Sequence, residues 1–290
     1  MSKPKWLRFS RSWDEEELAE TIAGWRAAEG PEERGRHLDS VYAAIERVIL
    51  LRYGDGEPRE KVLEHAGLFY SCYLEKLERR PSIGRVSRNG GKTWEEREDW
   101  SCGDSWESLQ SAWLLLSLGF EHEAREIAAK IYDPPGAKYV RRTTPGQLDC
   151  ITVGEQALAY AFKDLMAGDP GPAEQVLEVV GRGPDAAEHS LKGSMMRALA
   201  LGERTKFLQV LEKMLIAHRK FAEKSHRANR TDPETFLCVP AAAMTFLALR
   251  QGLVTLDELP ADDPLLGVQL FAPALSAPAE DASNDEGPGT

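Results

Sequence analysis

Apolar positions recur at helical spacing along most of the chain. Leu18, Ile22 and Trp25 fall at i, i+4 and i+7. They follow Ser12-Trp-Asp-Glu15, a Ser-x-x-Glu capping box whose polar side chains satisfy the first free backbone N–H groups of a helix. The acids from Asp14 to Glu17 then sit where the helix dipole favours them, and Gly30-Pro31 ends the element. A second helix is predicted from about Glu32 to Arg52, with Leu38, Val41, Ile45, Val48 and Ile49 on one face and Gly54 and Gly56 closing it. A third is predicted from about Pro58 to Arg79, with Val62, His65, Phe69, Cys72 and Leu77 facing one way.

The period breaks at 80–98, RPSIGRVSRNGGKTWEERE. Pro81, Gly84 and Asn89-Gly90-Gly91 forbid a continuous helix, so the segment reads as a long loop or, turning on Asn89-Gly90, as a small β-hairpin. Beyond it, helices are predicted in pairs separated by glycine: 105–119 with 121–132, 153–166 with 172–180, 190–201 with 205–221, and 236–250 with a short segment ending at Pro260. Paired helices of this kind stack side by side, which predicts an all-α fold of stacked antiparallel hairpins, an α-solenoid of the tetratricopeptide type. The spacing is irregular and meets no tetratricopeptide consensus. The expected organisation is one helical domain over 1–271, comprising helices at 12–79, the 80–98 segment and the hairpin array at 99–260. A Pro- and acid-rich tail, expected to be disordered, follows over 272–290.

Charge narrows the partners. The net charge is -11, but residues 261–290 hold six acids and no Lys or Arg, leaving 41 acids against 36 bases over 1–260. A mildly acidic body argues against nucleic acid, whose phosphates need a basic surface. No run of 18 apolar residues is present and Met1–Ser10 has no apolar stretch of signal-peptide length, so neither membrane nor export is expected and the cytoplasm is the predicted location. Cys72, Cys102, Cys150 and Cys238 are too dispersed for a zinc site or a disulfide framework and read as reduced, mostly buried thiols.

Motifs for catalysis, cofactors and metals are missing. Asn89-Gly-Gly-Lys-Thr93 lacks the earlier glycine and preceding strand of a phosphate-binding loop; G-x-G-x-x-G, H-E-x-x-H and G-x-S-x-G do not occur. His218 and His226, eight residues apart, are too far along a helix to share an ion. Chemistry concentrates instead in one acidic, aromatic stretch: Trp94, Glu95, Glu96, Glu98, Asp99, Asp104 and Glu107, with Trp100 and Trp106 between them. Tryptophan gives contact area at interface hot spots, and carboxylates steer a basic partner. The bland alternative is a solvated helix start, with Trp106 and Trp113 in the core on one face beside Leu109.

One stretch carries a family likeness. In Asp232–Leu253 an acidic residue and a Phe-Leu-x-x-Pro-Ala run (Phe236, Leu237, Pro240, Ala241) lead into a small-residue helix ending Leu-Ala-x-x-x-Gly-Leu (Leu247, Ala248, Gly252, Leu253). This resembles the last helix of the immunity protein 49 family of bacterial polymorphic toxin systems; Phe207–Phe221 before it and Leu259-Pro260 after it fit the same layout. The resemblance implies a non-enzymatic protein that neutralises a cognate toxin by direct binding, without a cofactor. Two other classes compete with it. A helical-repeat scaffold for a peptide or protein would show ligand-facing polar residues repeating on its inner helices. A helical-barrel carbohydrate enzyme would set two carboxylates across a deep pocket.

Overall fold

The computed structural model describes residues 11–28, 31–78, 84–88, 93–97, 102–131, 153–169, 186–227 and 233–276. The regular elements among them are helical, apart from one hairpin. In chain order they are α1 (Arg11–Ala27), α2 (Pro31–Gly54), α3 (Arg59–Leu63), α4 (Ala66–Glu78), β1 (Gly84–Arg88), β2 (Thr93–Arg97), α5 (Cys102–Leu118), α6 (Glu121–Ala129) and α7 (Val153–Ala167). Then come α8 (Ala186–Ala200), α9 (Arg204–Arg227), α10 (Val239–Arg250) and α11 (Val268–Leu275), with 3-10 turns at Pro233–Thr235 and Leu256–Glu258. The predicted 172–180 helix and residues 277–290 lie outside the described residues.

The α2 stripe is as its spacing requires: Leu38, Val41, Ile45, Val48 and Ile49 are all buried. Ser12 is the second residue of α1, so the capping box expected there does not mark the start of that helix. The single helix expected over 58–79 is two. An Arg52 guanidinium nitrogen donates to the Lys61 carbonyl at 2.8 Å and to the Glu64 carboxylate at 2.8 Å, while its other terminal nitrogen reaches Glu15 at 3.2 Å. The carbonyl that would have received the next helical bond is thus engaged from the side, and the chain turns at Glu64-His65 before α4 begins. Two hydrogen bonds and an ionic contact from one side chain lock α1, α2 and α3 together.

Over 80–98 the hairpin alternative is realised. β1 and β2 pair antiparallel, with Gly84 opposite Arg97 and Arg88 opposite Thr93. The α11 helix runs four residues past 271, where the tail was expected to start. Val268, Leu270 and Phe271 are buried and Leu275 packs on the core despite Pro273.

Helix α5 is enclosed on every side beyond its first turns. From Ser111 to Leu118 each residue is buried, serines included, and Ser117 Oγ donates to the Leu114 carbonyl at 2.7 Å. It packs against α4, α6, α7, α10 and α11, and its most extensive partner is α10, from the far end of the chain. Ala241, Ala242, Ala243 and Ala248 on α10 are fully buried, and small side chains permit that close approach. Pro240 sits in the first turn of α10, where a missing N–H costs nothing, so it starts that helix and does not kink it. The expected pairing of 105–119 with 121–132 appears as α5 on α6, and that of 190–201 with 205–221 as α8 on α9. The α5–α10 contact joins pairs that a simple file of hairpins would keep apart.

Polar ties close the molecule between its ends. Arg59 Nε donates to the Leu270 carbonyl at 2.6 Å, the Tyr53 hydroxyl donates to the Pro264 carbonyl, and Arg250 Nε meets Glu121 at 2.8 Å. At Gly119 a left-handed residue (φ 91°) ends α5: its N–H bonds Leu116 and the next N–H bonds Leu115, so the last carbonyls are satisfied.

Gly54 is required by proximity, since a Cβ there would lie 2.6 Å from the Phe236 ring. Gly54→Ala is therefore expected to cost about 1–3 kcal/mol by overpacking. Adding Phe236→Leu should make the double variant more stable than the two single effects summed. Urea unfolding of all four proteins measures this, and strict additivity would show that the contact is not made.

Candidate functional site

The acidic, aromatic stretch does not fold into one place that side chains define. Trp94, Glu95 and Glu96 lie on β2, where Glu96 is opposite Arg85, Glu95 opposite Val86 and Trp94 opposite Ser87. Glu98 and Asp99 fall outside the described residues, and Asp104 is in the first turn of α5 with its side chain likewise outside them. Glu107 is placed fully. Its carboxylate takes a 2.6 Å ion pair from Lys76, whose ammonium lies 4.7 Å from the centre of the Tyr42 ring. Glu107 thus joins α5 to α4, with 39% of its side chain still exposed.

A cleft of about 500 Å³ lies elsewhere, between α2, α5, α8, α9 and the segment leading into α10. Each element contributes for a local reason. On α2, Glu46 and Leu50 are one turn apart, on the flank of the buried stripe. On α5, Trp106, Gln110 and Trp113 follow the same i, i+4, i+7 row, where the helix emerges from the core. Leu191 and Lys192 come from α8; Met214, Ala217, His218 and Phe221 come from α9; Glu234, Leu237 and Cys238 come from the turn before α10.

The aromatic wall is braced. Trp106 meets Trp113 edge-on with ring centres 6.0 Å apart, and it meets the buried His189 ring at 5.4 Å. His189 Nε2 is 3.8 Å from the Glu155 carboxylate on α7. Lys192 lays its ammonium over Trp106, 5.1 Å from the ring centre. Phe221, at the outer edge, is 44% exposed. Trp113 is 1% exposed and its indole N–H has no acceptor among the described residues, which is costly for a buried donor.

Electrostatically the cleft is unbalanced. Glu46 is half-buried, and it makes no hydrogen bond or ion pair among the described residues. Burial first, and then the neighbouring Glu234 carboxylate, push its pKa up to about 7. The Cys238 thiol, 4% exposed, is pushed up to about 11 by burial and stays protonated.

A larger, more open groove of about 830 Å³ runs along α9 opposite Leu259 and Pro260. Four of its charges are paired, Arg204 with Glu258 and Arg219 with Asp263 at 2.7 Å. The smaller cleft is the stronger candidate because it is walled by Trp106 and Trp113 and lined by Glu46, which makes no hydrogen bond or ion pair among the described residues. Among the described residues no group of His, Cys, Asp and Glu could hold a metal ion, and no helix is long and apolar enough to cross a membrane. No protein-family model, curated protein or solved structure matches the chain.

The cleft is not the 94–107 stretch to which the sequence points. Its one sequence signal is Glu46 itself, an acid one turn before the buried Leu50 inside an apolar run.

The raised pKa of Glu46 has a signed consequence. The unfolded carboxyl ionises near 4.5 and the folded one near 7, so stability falls as pH rises from about 4.5 to 7, and the loss is complete above that. Glu46→Gln removes the loss. After allowance for partial exposure, it should stabilise the protein by on the order of 1–3 kcal/mol at pH 8 and by clearly less at pH 5. Urea unfolding at both pH values reads the difference; a gain independent of pH contradicts a raised Glu46 pKa.

Proposed function

We propose that this chain is an immunity protein that neutralises a cognate bacterial toxin by binding it directly, in the cytoplasm and without catalysis of its own. The observation that carries the reading is the Asp232–Leu253 run, with its Phe-Leu-x-x-Pro-Ala entry and its Leu-Ala-x-x-x-Gly-Leu exit. In the fold this run is the Pro233–Thr235 turn and α10, the element most extensively packed on α5. Five of its distinctive residues (Phe236, Leu237, Ala241, Leu247 and Ala248) are buried, which leaves contact with a partner to other surfaces.

The proposed contact is the stretch Trp94, Glu95, Glu96, Glu98, Asp99, Asp104 and Glu107, which holds six carboxylates, of which Glu107 is paired with Lys76. Such a surface attracts a basic partner and raises its rate of encounter. Neutralisation then amounts to covering the toxin's active site or an essential surface. A helical-repeat scaffold for a peptide makes the same demand for a polypeptide partner.

The carbohydrate-enzyme reading gains from one observation: Glu46 and Glu234 line one aromatic-walled cleft, with Glu46 pushed up to about 7. A raised acid beside a second carboxylate is the pairing that glycoside hydrolysis uses. The other lining residues are mostly apolar (Leu50, Leu191, Met214, Ala217, Leu237, Val239 and Pro240), whereas a sugar site needs polar groups to meet its hydroxyls. Binding is the better-supported reading.

Expression beside the neighbouring open reading frame tests it. The neighbour should arrest growth alone, be harmless together with this chain, and co-purify with it; normal growth with the neighbour alone removes the proposal. The quadruple change Glu95→Lys, Glu96→Lys, Glu98→Lys and Asp99→Lys is expected to weaken the complex at least tenfold through a slower on-rate. Undiminished binding would exclude that surface.

A further inference from the structure

We propose that the cleft walled by Trp106 and Trp113 binds a small, uncharged aromatic molecule carrying a hydroxyl or N–H donor, of the phenol or indole type. The lining sets that class by what it offers a ligand. Leu50, Leu191, Met214, Leu237, Val239 and Pro240 bring apolar side chains, so binding is favourable only for a molecule whose own surface is mostly apolar.

Ring chemistry is favoured within that class. Trp106 is half-buried, and its ring is set among Trp113, His189 and Lys192 at 6.0, 5.4 and 5.1 Å, so it meets a ligand in a fixed orientation. Phe221, 44% exposed, offers a second ring at the outer edge, and the Met214 thioether is a soft contact for aromatic rings. The volume of about 500 Å³ lies within the ordinary range for small-molecule sites and admits a fused-ring compound.

Polar groups on two helices call for a donor. Glu46 on α2 and Gln110 on α5 both line the cleft, and neither side chain makes a hydrogen bond or ion pair among the described residues. A carboxylate accepts and cannot donate, and Glu46, half-buried where Gln110 is exposed, competes less with water for a ligand O–H or N–H. An anion would meet Glu46 and Glu234 in the lining, with Lys192 drawn over Trp106. A cation fares no better: Glu234 is exposed and already engaged, which leaves one half-buried carboxylate to offset the loss of water around the charge.

Calorimetry and tryptophan indole resonances, with the full-length chain and 2-naphthol at neutral pH, test the site. Saturable one-to-one binding in roughly the micromolar range is expected, with the Trp106 indole proton shifting. 2-Methoxynaphthalene, which keeps the rings and loses the donor, should bind about tenfold more weakly, and the anion 2-naphthoate should also bind more weakly than 2-naphthol. Glu46→Leu should cost about tenfold towards 2-naphthol and leave 2-methoxynaphthalene no weaker, which separates a lost hydrogen bond from a lost fold. Ala217→Trp puts a large side chain at an exposed position of the lining and should remove binding with the melting temperature unchanged.

The proposal is overturned if 2-naphthol fails to saturate, if Ala217→Trp or Glu46→Leu binds it as well as the parent, or if 2-methoxynaphthalene, 2-naphthoate or maltotetraose binds as tightly. No toxin enters the assay and the 94–107 carboxylates take no part in it, so this site and toxin neutralisation stand or fall separately.

Discussion

The fold depends on the burial of α5. A helix with Trp113, Leu114, Leu115, Leu116 and Leu118 all enclosed has no solvent face over that length, so it is stable only when other helices cover every side. α4 and α6 supply the local cover, α7 and α11 extend it, and α10 completes it from the end of the chain. That last contact is why small residues line α10 and why Pro240 stands at its start and not within it. It also explains the cluster of long-range polar ties. With α10 and α11 brought back over α5, Tyr53 and Arg59 reach backbone carbonyls at Pro264 and Leu270.

The cleft follows from where this enclosure ends. Near its N-terminus α5 leaves the core, and the row Trp106, Gln110, Trp113 becomes a wall shared with α2, α8 and α9. The core-facing demands on α2 are met by Val41, Ile45, Val48 and Ile49, so Glu46 is not needed for packing, and its raised pKa works against stability above neutral pH. A side chain that costs stability where a leucine or glutamine would not is the kind of local conflict that accompanies binding sites. The buried Trp113 N–H, without a partner among the described residues, is a second conflict of this kind.

What the sequence disclosed divides along the range of the interaction involved. The stripes of α1 and α2, the glycine-ended α5–α6 and α8–α9 pairs and the core placement of Trp113 depend on spacing within one helix, and the periodicity carries them. The split at Glu64-His65 depends on Arg52 reaching the Lys61 carbonyl, an interaction invisible to hydrophobic spacing. The extension of α11 past 271 was hidden by Pro273 and the alanine-rich composition around it; burial of Phe271 against Phe246, ring centres 5.9 Å apart, outweighs both. The cleft was the least legible feature, because positions 46, 106, 113, 192, 218 and 234 meet only after α5, α9 and α10 have packed.

Amide hydrogen exchange across the chain tests the dependence on α5 most directly. Peptides from 105–118 and 239–250 are expected to exchange last and to lose protection together, as one cooperative unit that opens only with global unfolding. Exchange of α10 well ahead of α5, or of α5 ahead of the α1–α2 pair, would contradict it.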